Sequence, residues 1–294
     1  MNRAIIASLA PARLLPREAP KIPVHSGRSD RVSSATIGNT SRSHGVRDEG
    51  PAADWTAIRV LTLNAHQGFS ALRRRDVLQQ MRDALRVASA DLVFLQEIGG
   101  AADTEVSTHQ YEVLADRVWP QHAYGRNAVS TSGHHGNALL SKYPIVAWQN
   151  IDVSVGESEP RGMLHCVLDV PDMPHQLHAV CVHFGLRESH RQRQVEQLLD
   201  LLAGTIPSDA PLVIAGDFND WRGRAHQRLR CDSSLEEIHA GANGNPARTF
   251  PAGLPLLRLD RIYVRNLRHQ PLQLPRRPWA TLSDHAPLAG EVRL

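Results

Sequence analysis

"PLVIAGDFNDW", residues 211–221, runs a short apolar stretch straight into a glycine, two carboxylates and an amide. A brief apolar run bounded by turn residues reads as a buried β-strand. Its end delivers Asp217 and Asn219 to one place. A carboxylate carried there by an apolar strand is costly unless it is paired, hydrogen-bonded or bound to a metal. The stretch is therefore read as a site rather than a plain turn. Gly216 lets the chain bend, Phe218 is predicted to return to the core, and Asp220 is predicted to face solvent.

The same ending recurs along the chain. Asn64 closes "IRVLTLN" (58–64), Glu97 closes "DLVFLQE" (91–97) and His183 closes "LHAVCVH" (177–183). Further strands are predicted at 136–141, 162–170 and 256–264, and a last one after "LSDHAPL". Leu78, Met81, Leu85 and Ala88 form one helical stripe, and Val195, Leu198, Leu199 and Leu202 another. Each helix lies between two strands. Many short strands with a few intervening helices predict an α/β sandwich of two packed sheets covered by helices. Polar strand ends gathered on one edge of such a sandwich make a site. In the C-terminal part Asp260 sits within an apolar stretch, and Asp284 and His285 precede the final strand. An Asp that accepts a hydrogen bond from a histidine fixes its tautomer and favours the imidazolium. Hard oxygen ligands without cysteine point to Mg²⁺ or Mn²⁺ rather than zinc.

The chain has 294 residues, of which 41% are hydrophobic, enough for a sizeable core. Its formal charge of +3 is unevenly placed. Residues 1–53 carry eight of the 33 basic residues and four of the 30 acids, which leaves 25 basic against 26 acidic residues beyond them. A near-neutral body argues against a long nucleic-acid track, which needs many phosphate contacts. Residues 1–53 are rich in Ser, Arg, Pro and Gly without an apolar period, and are expected to be a disordered leader or an overlong start. The domain is expected to span 54–294. Three cysteines without a CxxC pairing suggest neither a disulfide framework nor a zinc site, and fit a reducing, cytoplasmic setting. No apolar run approaches the ~20 residues of a membrane span. Peripheral membrane contact and a monomeric state are expected.

"LNAHQG", "LQE", "GNALLSKYP", "RG", "VHFGLRESHRQRQ", "GDFND", "TFP", "LDRIYV" and "SDHAPL" follow one another in the order and rough spacing of the endonuclease/exonuclease/phosphatase superfamily. The chain resembles it over about residues 55–294, and "YGRNAV…GHHGNA" and "GDFNDWR" further resemble one bacterial subgroup. The resemblance implies a metal-dependent phosphoesterase on a four-layer αββα sandwich. By that analogy Glu97 is the principal Mg²⁺ ligand, with Asn64 beside it, and Asp284 adds a metal contact or orients its neighbour. Asp217 positions or activates the attacking water, and Asn219 holds a phosphate oxygen. His285, oriented by Asp260, stabilises phosphoryl charge, and His183 matches the second catalytic histidine. Asn137 and Arg161 match positions near the bound phosphate. His66 stands where some nucleases of the family carry an acidic metal ligand, which speaks against a second tight Mg²⁺ site and leaves it to the substrate side. Tyr124 is expected to shape the phosphate pocket. His134 and His135 are expected in an exposed loop.

Together these readings predict a phosphodiesterase or phosphatase acting on a small molecule or lipid headgroup. A nuclease with the same site is the alternative, and a catalytically silent binding module a third. Few aromatics, 5% of the chain, disfavour a base-stacking track. Specificity is expected from loops around 98–136 and 222–256.

Overall fold

The computed structural model describes residues 57–70, 76–101, 109–130, 133–156, 159–240 and 244–294. The leader segment 1–53 lies outside them. The first of two sheets holds β1 (Ile58–Asn64), β2 (Leu92–Ala101), β3 (Gln121–Ser130), β4 (Gly133–Ser141), β11 (Arg268–Leu272) and β12 (Leu288–Arg293), in the order β11-β12-β1-β2-β4-β3. The second holds β5 (Ile145–Asp152), β6 (Gly162–Leu168), β7 (Leu177–His183), β8 (Leu212–Asp217), β9 (Glu236–Glu237) and β10 (Asp260–Arg265), in the order β5-β6-β7-β8-β10-β9. Helices α1 (Leu78–Ala88), α2 (Gln110–Ala115), α3 (Glu188–Gly204), α4 (Arg224–Asp232) and α5 (Trp279–Leu282) complete the described elements.

Side-chain alternation explains the layering. On β1, Ile58 and Val60 pack between the sheets, with Leu164, Val213 and Ile262 from the second sheet. Leu61 and Leu63 point the other way, onto Met81 and Leu85 of α1 and Trp279 of α5. On the far side Val180, Val182 and Ile214 meet Val195 and Leu198 of α3. Central strands are thus buried on both faces, which is why they read as nearly unbroken apolar runs. The order helix, sheet, sheet, helix is the predicted αββα sandwich.

Two pairs of strands are parallel, β1 with β2 and β7 with β8. Each pair is joined through a helix, so their C-terminal ends point to the same edge of the sandwich. Asn64, His183 and Asp217 end three of these strands, and Asp260 begins the antiparallel β10 directly opposite Asp217. The expected loop regions are more ordered than predicted: 98–136 contains α2 and β3, and 222–256 contains α4 and β9.

Candidate active site

The residue that opened the reading is flanked in register. Asp217 sits opposite His183 on one side and opposite Asp260 on the other. Gly216 just before it has φ +149, and a β-carbon there would lie 1.9 Å from the Val182 carbonyl oxygen. Only glycine lets β7 and β8 approach this closely and keep His183 beside Asp217. Phe218 is buried, edge-on to Phe184 and Tyr263, as predicted.

Glu97 is aimed by an irregularity. The pairing of β2 with β4 shifts register between Leu95 and Ile98, and Glu97 takes φ +52 inside that bulge. A bulge re-aims a side chain, and a left-handed non-glycine residue is the sort of strain retained at sites. The turned carboxylate meets Asn64, whose Nδ2 donates to Glu97 Oε1 at 3.4 Å and to Asp217 Oδ2 at 3.2 Å. Nε2 of His183 lies 3.8 Å from that Glu97 oxygen and 3.7 Å from that Asp217 oxygen. His285 Nε2 stands 3.8 Å from Asp217 Oδ2, while its Nδ1 is 2.9 Å from Asp260 Oδ2.

Electrostatics divide the histidines. Burial drives His183 well below the ordinary imidazole range, helped by Arg161, so it is neutral. Burial also opposes charge on His285, but Asp260 and then Asp217 overcome it and raise its pKa to about 10. His285 is therefore an imidazolium, a hydrogen-bond donor at both nitrogens. Burial lifts the Asp217 carboxyl to about 6, against the pull of His285. A carboxylate tuned toward neutrality beside a fixed cation is a usual acid–base arrangement.

Other predicted residues take definite places. Asn219, at φ +50, donates its backbone N–H to Asp217 Oδ1 at 2.8 Å and one amide hydrogen to the Phe184 carbonyl at 2.9 Å. Asn137 is fully buried and reaches across the sheets to the Gly162 carbonyl at 2.8 Å, with its Oδ1 unpartnered. Arg161 donates to the Phe184 carbonyl at 3.3 Å and to Glu159 at 3.1 Å. His66 Nδ1 is 3.4 Å from Asp284 Oδ2, so these two stand together at the end of β1.

Asp220 and Tyr124 depart from expectation. Asp220 does not face solvent: it is 1% exposed, accepts the Arg224 and His226 backbone N–H groups at 3.0 and 2.9 Å, and lies 3.7 Å from buried Arg261. Capping the start of α4 satisfies orphan helix donors and accounts for the burial. Tyr124 is not brought to the cluster. It packs on the helix-facing side of the first sheet, stacked 4.7 Å from Tyr111 and bonded to His134 at 2.8 Å.

Several contributors lacked a role in the sequence reading. His134 and His135 are on β4, not a loop, and alternation splits them. His135 feels Glu97 and Arg161, and burial lowers its pKa, whereas His134 joins Tyr124. Ser283 donates to the Asn64 carbonyl at 2.7 Å and accepts the His285 N–H at 3.2 Å. Thr249 accepts the Asp260 N–H at 3.3 Å, and the Phe250 ring lies 5.1 Å from His285. Both "TFP" and "LSDHAPL" marked these positions without telling what they do.

The donors suit a hard cation. Asp217, Asp260 and His285 offer ligand-type atoms within 4.8 Å of one another. Both ring nitrogens of His285 face carboxylates, Asp260 at 2.9 Å and Asp217 at 3.8 Å, so the trio forms a charge-paired chain. Glu97, the Asn64 amide oxygen and Asp284 are further oxygens that could hold a metal, with no thiolate among them.

An αββα sandwich with acids and histidines gathered on the edge where two parallel strand pairs end is a phosphoester hydrolase scaffold, and the chain belongs to the endonuclease/exonuclease/phosphatase family, matched over residues 61–285. Members of that family are phosphoester hydrolases that generally depend on a metal. Among its relatives is YbhP of Escherichia coli K12, 49% identical over 246 residues, which cover 81% of this chain and 97% of YbhP. This is the bacterial subgroup that the two longer stretches resemble. In fold the chain is similar to an endonuclease/exonuclease/phosphatase from Beutenbergia cavernae, with TM-score 0.66 and 18% identity over 81% of this chain and 72% of that one. It is also similar to the human nocturnin catalytic domain, with TM-score 0.61 and 18% identity over 80% and 93%.

Proposed function

We propose that the chain is a Mg²⁺- or Mn²⁺-dependent phosphodiesterase or phosphatase acting on a small molecule or a lipid headgroup. One observation carries it: Asp217 Oδ2 stands at the meeting point of Asn64, neutral His183 and cationic His285. In this reading Asp217 orients a water and takes its proton, a role suited to a carboxyl raised to about 6. His285, kept protonated by Asp260, donates to a phosphoryl oxygen and offsets its growing charge. Neutral His183, Arg161 and the spare amide hydrogen of Asn219 position the phosphate, while buried Asn137 donates to the Gly162 and Cys181 carbonyls and braces the sheets behind them. Glu97, Asn64 and Asp284 would hold a cation, which would supply charge neutralisation at the phosphoryl group. His66 tethers Asp284 rather than adding a ligand.

The test is a substrate panel with Mg²⁺ or with EDTA: bis-p-nitrophenyl phosphate, nucleotide diesters, inositol phosphates, phospholipids, and single- and double-stranded DNA. Hydrolysis of small or lipid phosphoesters that EDTA and Glu97→Ala both abolish is the expected result. Cleavage of DNA alone would replace this reading with the nuclease one. Turnover that survives EDTA and Glu97→Ala together would remove the metal role.

A further inference from the structure

Many of the large apolar side chains left in solvent follow elements of the site, whereas Val87, Val146 and Trp148 lie elsewhere, on α1 and β5. Leu186 is 68% exposed, Trp221 52%, Leu254 65% and Leu256 56%. Each follows or touches a site element. Leu186 comes three residues after His183, and Trp221 two after Asn219. Leu254 and Leu256 lie on a turn anchored at the site, where Ala252 N–H donates to the Asp284 carbonyl at 2.7 Å and the Phe250 ring contacts His285. Half-exposed Phe69 follows the His66 turn in the same way.

These side chains are held out by their backbones. The N–H of Leu186 donates to Glu159 Oε1 at 3.0 Å, and its carbonyl accepts Nη1 of buried Arg191 at 2.6 Å. With both backbone groups fixed, the leucine has no route inward. The turn bearing Leu254 is pinned likewise, with Leu256 and Leu257 N–H groups on the Phe250 carbonyl, each at 2.8 Å, and Arg276 on the Gly253 carbonyl. Exposed arginines are interspersed: Arg187 beside Leu186, Arg222 stacked 4.4 Å from the Trp221 ring centroid, and Arg276 and Arg277 near Gly253.

Fixed exposed leucines with a tryptophan mark an interaction surface. Leucine and tryptophan with arginine between them suit the boundary of headgroups and acyl chains, where apolar groups insert and cations meet lipid phosphates. A nucleic-acid strand would call instead for several aromatic platforms. We propose that the sandwich edge bearing this site docks on an anionic phospholipid bilayer. Substrate phosphoesters then come from that surface. The second statement rests on the hydrolase reading above, and the first does not.

Co-sedimentation with phosphatidylcholine vesicles, with and without phosphatidylglycerol, tests it alongside hydrolysis of soluble bis-p-nitrophenyl phosphate. The wild-type chain is expected to bind the phosphatidylglycerol vesicles. The triple variant Leu186→Ser, Leu254→Ser, Leu256→Ser should bind roughly tenfold more weakly or worse, with soluble turnover unchanged. Arg222→Glu with Arg276→Glu should also weaken binding, and added salt should weaken it in the wild type; this variant decides the matter if the leucine variant loses turnover and so its fold. Absence of wild-type binding, or equal binding by the variants, overturns the docking proposal. So does release from vesicles by a single-stranded oligonucleotide whose own binding needs the same leucines. Vesicle binding without any hydrolysis would leave docking in place and remove the hydrolase reading.

Discussion

Asp260 Oδ2 lies 2.9 Å from Nδ1 of His285, and the opposite nitrogen of that ring faces Asp217 at 3.8 Å. One imidazole is thus clamped between two carboxylates of adjacent strands in one sheet. The clamp sets its charge, since Asp260 is the larger of the influences that favour the imidazolium.

Asp260→Asn should lower kcat roughly a hundredfold to ten-thousandfold, the usual worth of an acid–base or charge-stabilising group. The pH–rate profile separates this from simple misfolding. A histidine with a pKa of about 10 stays charged across the working range, and in the variant the alkaline limb should move toward neutral pH. The sign for stability is equally definite. A pKa raised from 6.5 gives stabilisation that is complete below 6.5 and lost as pH rises through about 10.

Asp220→Ala should destabilise the protein by about 3 kcal/mol, because it removes the carboxylate 3.7 Å from buried Arg261 and leaves two helix N–H groups without acceptors. Urea unfolding reads this out. Turnover per folded molecule should change much less than with Asp217→Asn, which neutralises the carboxylate lying 3.7 Å from His183 and 3.8 Å from His285.

Gly216→Ala should harm both stability and activity. The added carbon meets the Val182 carbonyl at 1.9 Å, and relief requires β7 and β8 to part. His183 and Asp217 are register partners across that line, so their separation changes with it. A loss on the order of 3 kcal/mol, with a fall in kcat larger than any rise in KM, is expected.

Glu237→Gln should make the protein more stable above neutral pH. Burial lifts this carboxyl to about 7, and its Oε2 has no partner. The folded chain then holds a proton that the unfolded chain releases, so wild-type stability falls as pH rises from 4.5 to about 7 and levels off beyond. Glutamine removes that slope, with a gain on the order of 2–3 kcal/mol at the alkaline end and almost none at the acid end. Thermal unfolding across the pH range measures it.

How much was legible follows from where residues sit. Central strands such as β1 and β7 match their predicted bounds because both faces are buried and the apolar run is nearly unbroken. Strand β5 carries Trp148 and Val146 to solvent at a sheet edge, and β3 (QHAYGRNAVS) holds few apolar residues, so neither stood out as an apolar run. Asn64, His183 and Asp217 were readable as strand ends for the same reason as the central strands, whereas Glu97 lies inside β2, which runs on past it to Ala101. The burial of Asp220 was not readable, since neither the start of α4 that it caps nor Arg261, which faces it from far along the chain, stood out in the sequence. Tyr124 was misplaced because period-two alternation decides its face, and a motif match does not report that.

The hydrogen bond from Asn64 to Asp217 joins the last residue of a strand in one sheet to the last residue of a strand in the other. Catalysis therefore acts as a gauge of how the two layers are seated. A small sliding of one layer over the other, under pressure or mild denaturant, would leave every strand and helix intact yet silence the enzyme. Loss of turnover should precede any change in far-ultraviolet dichroism.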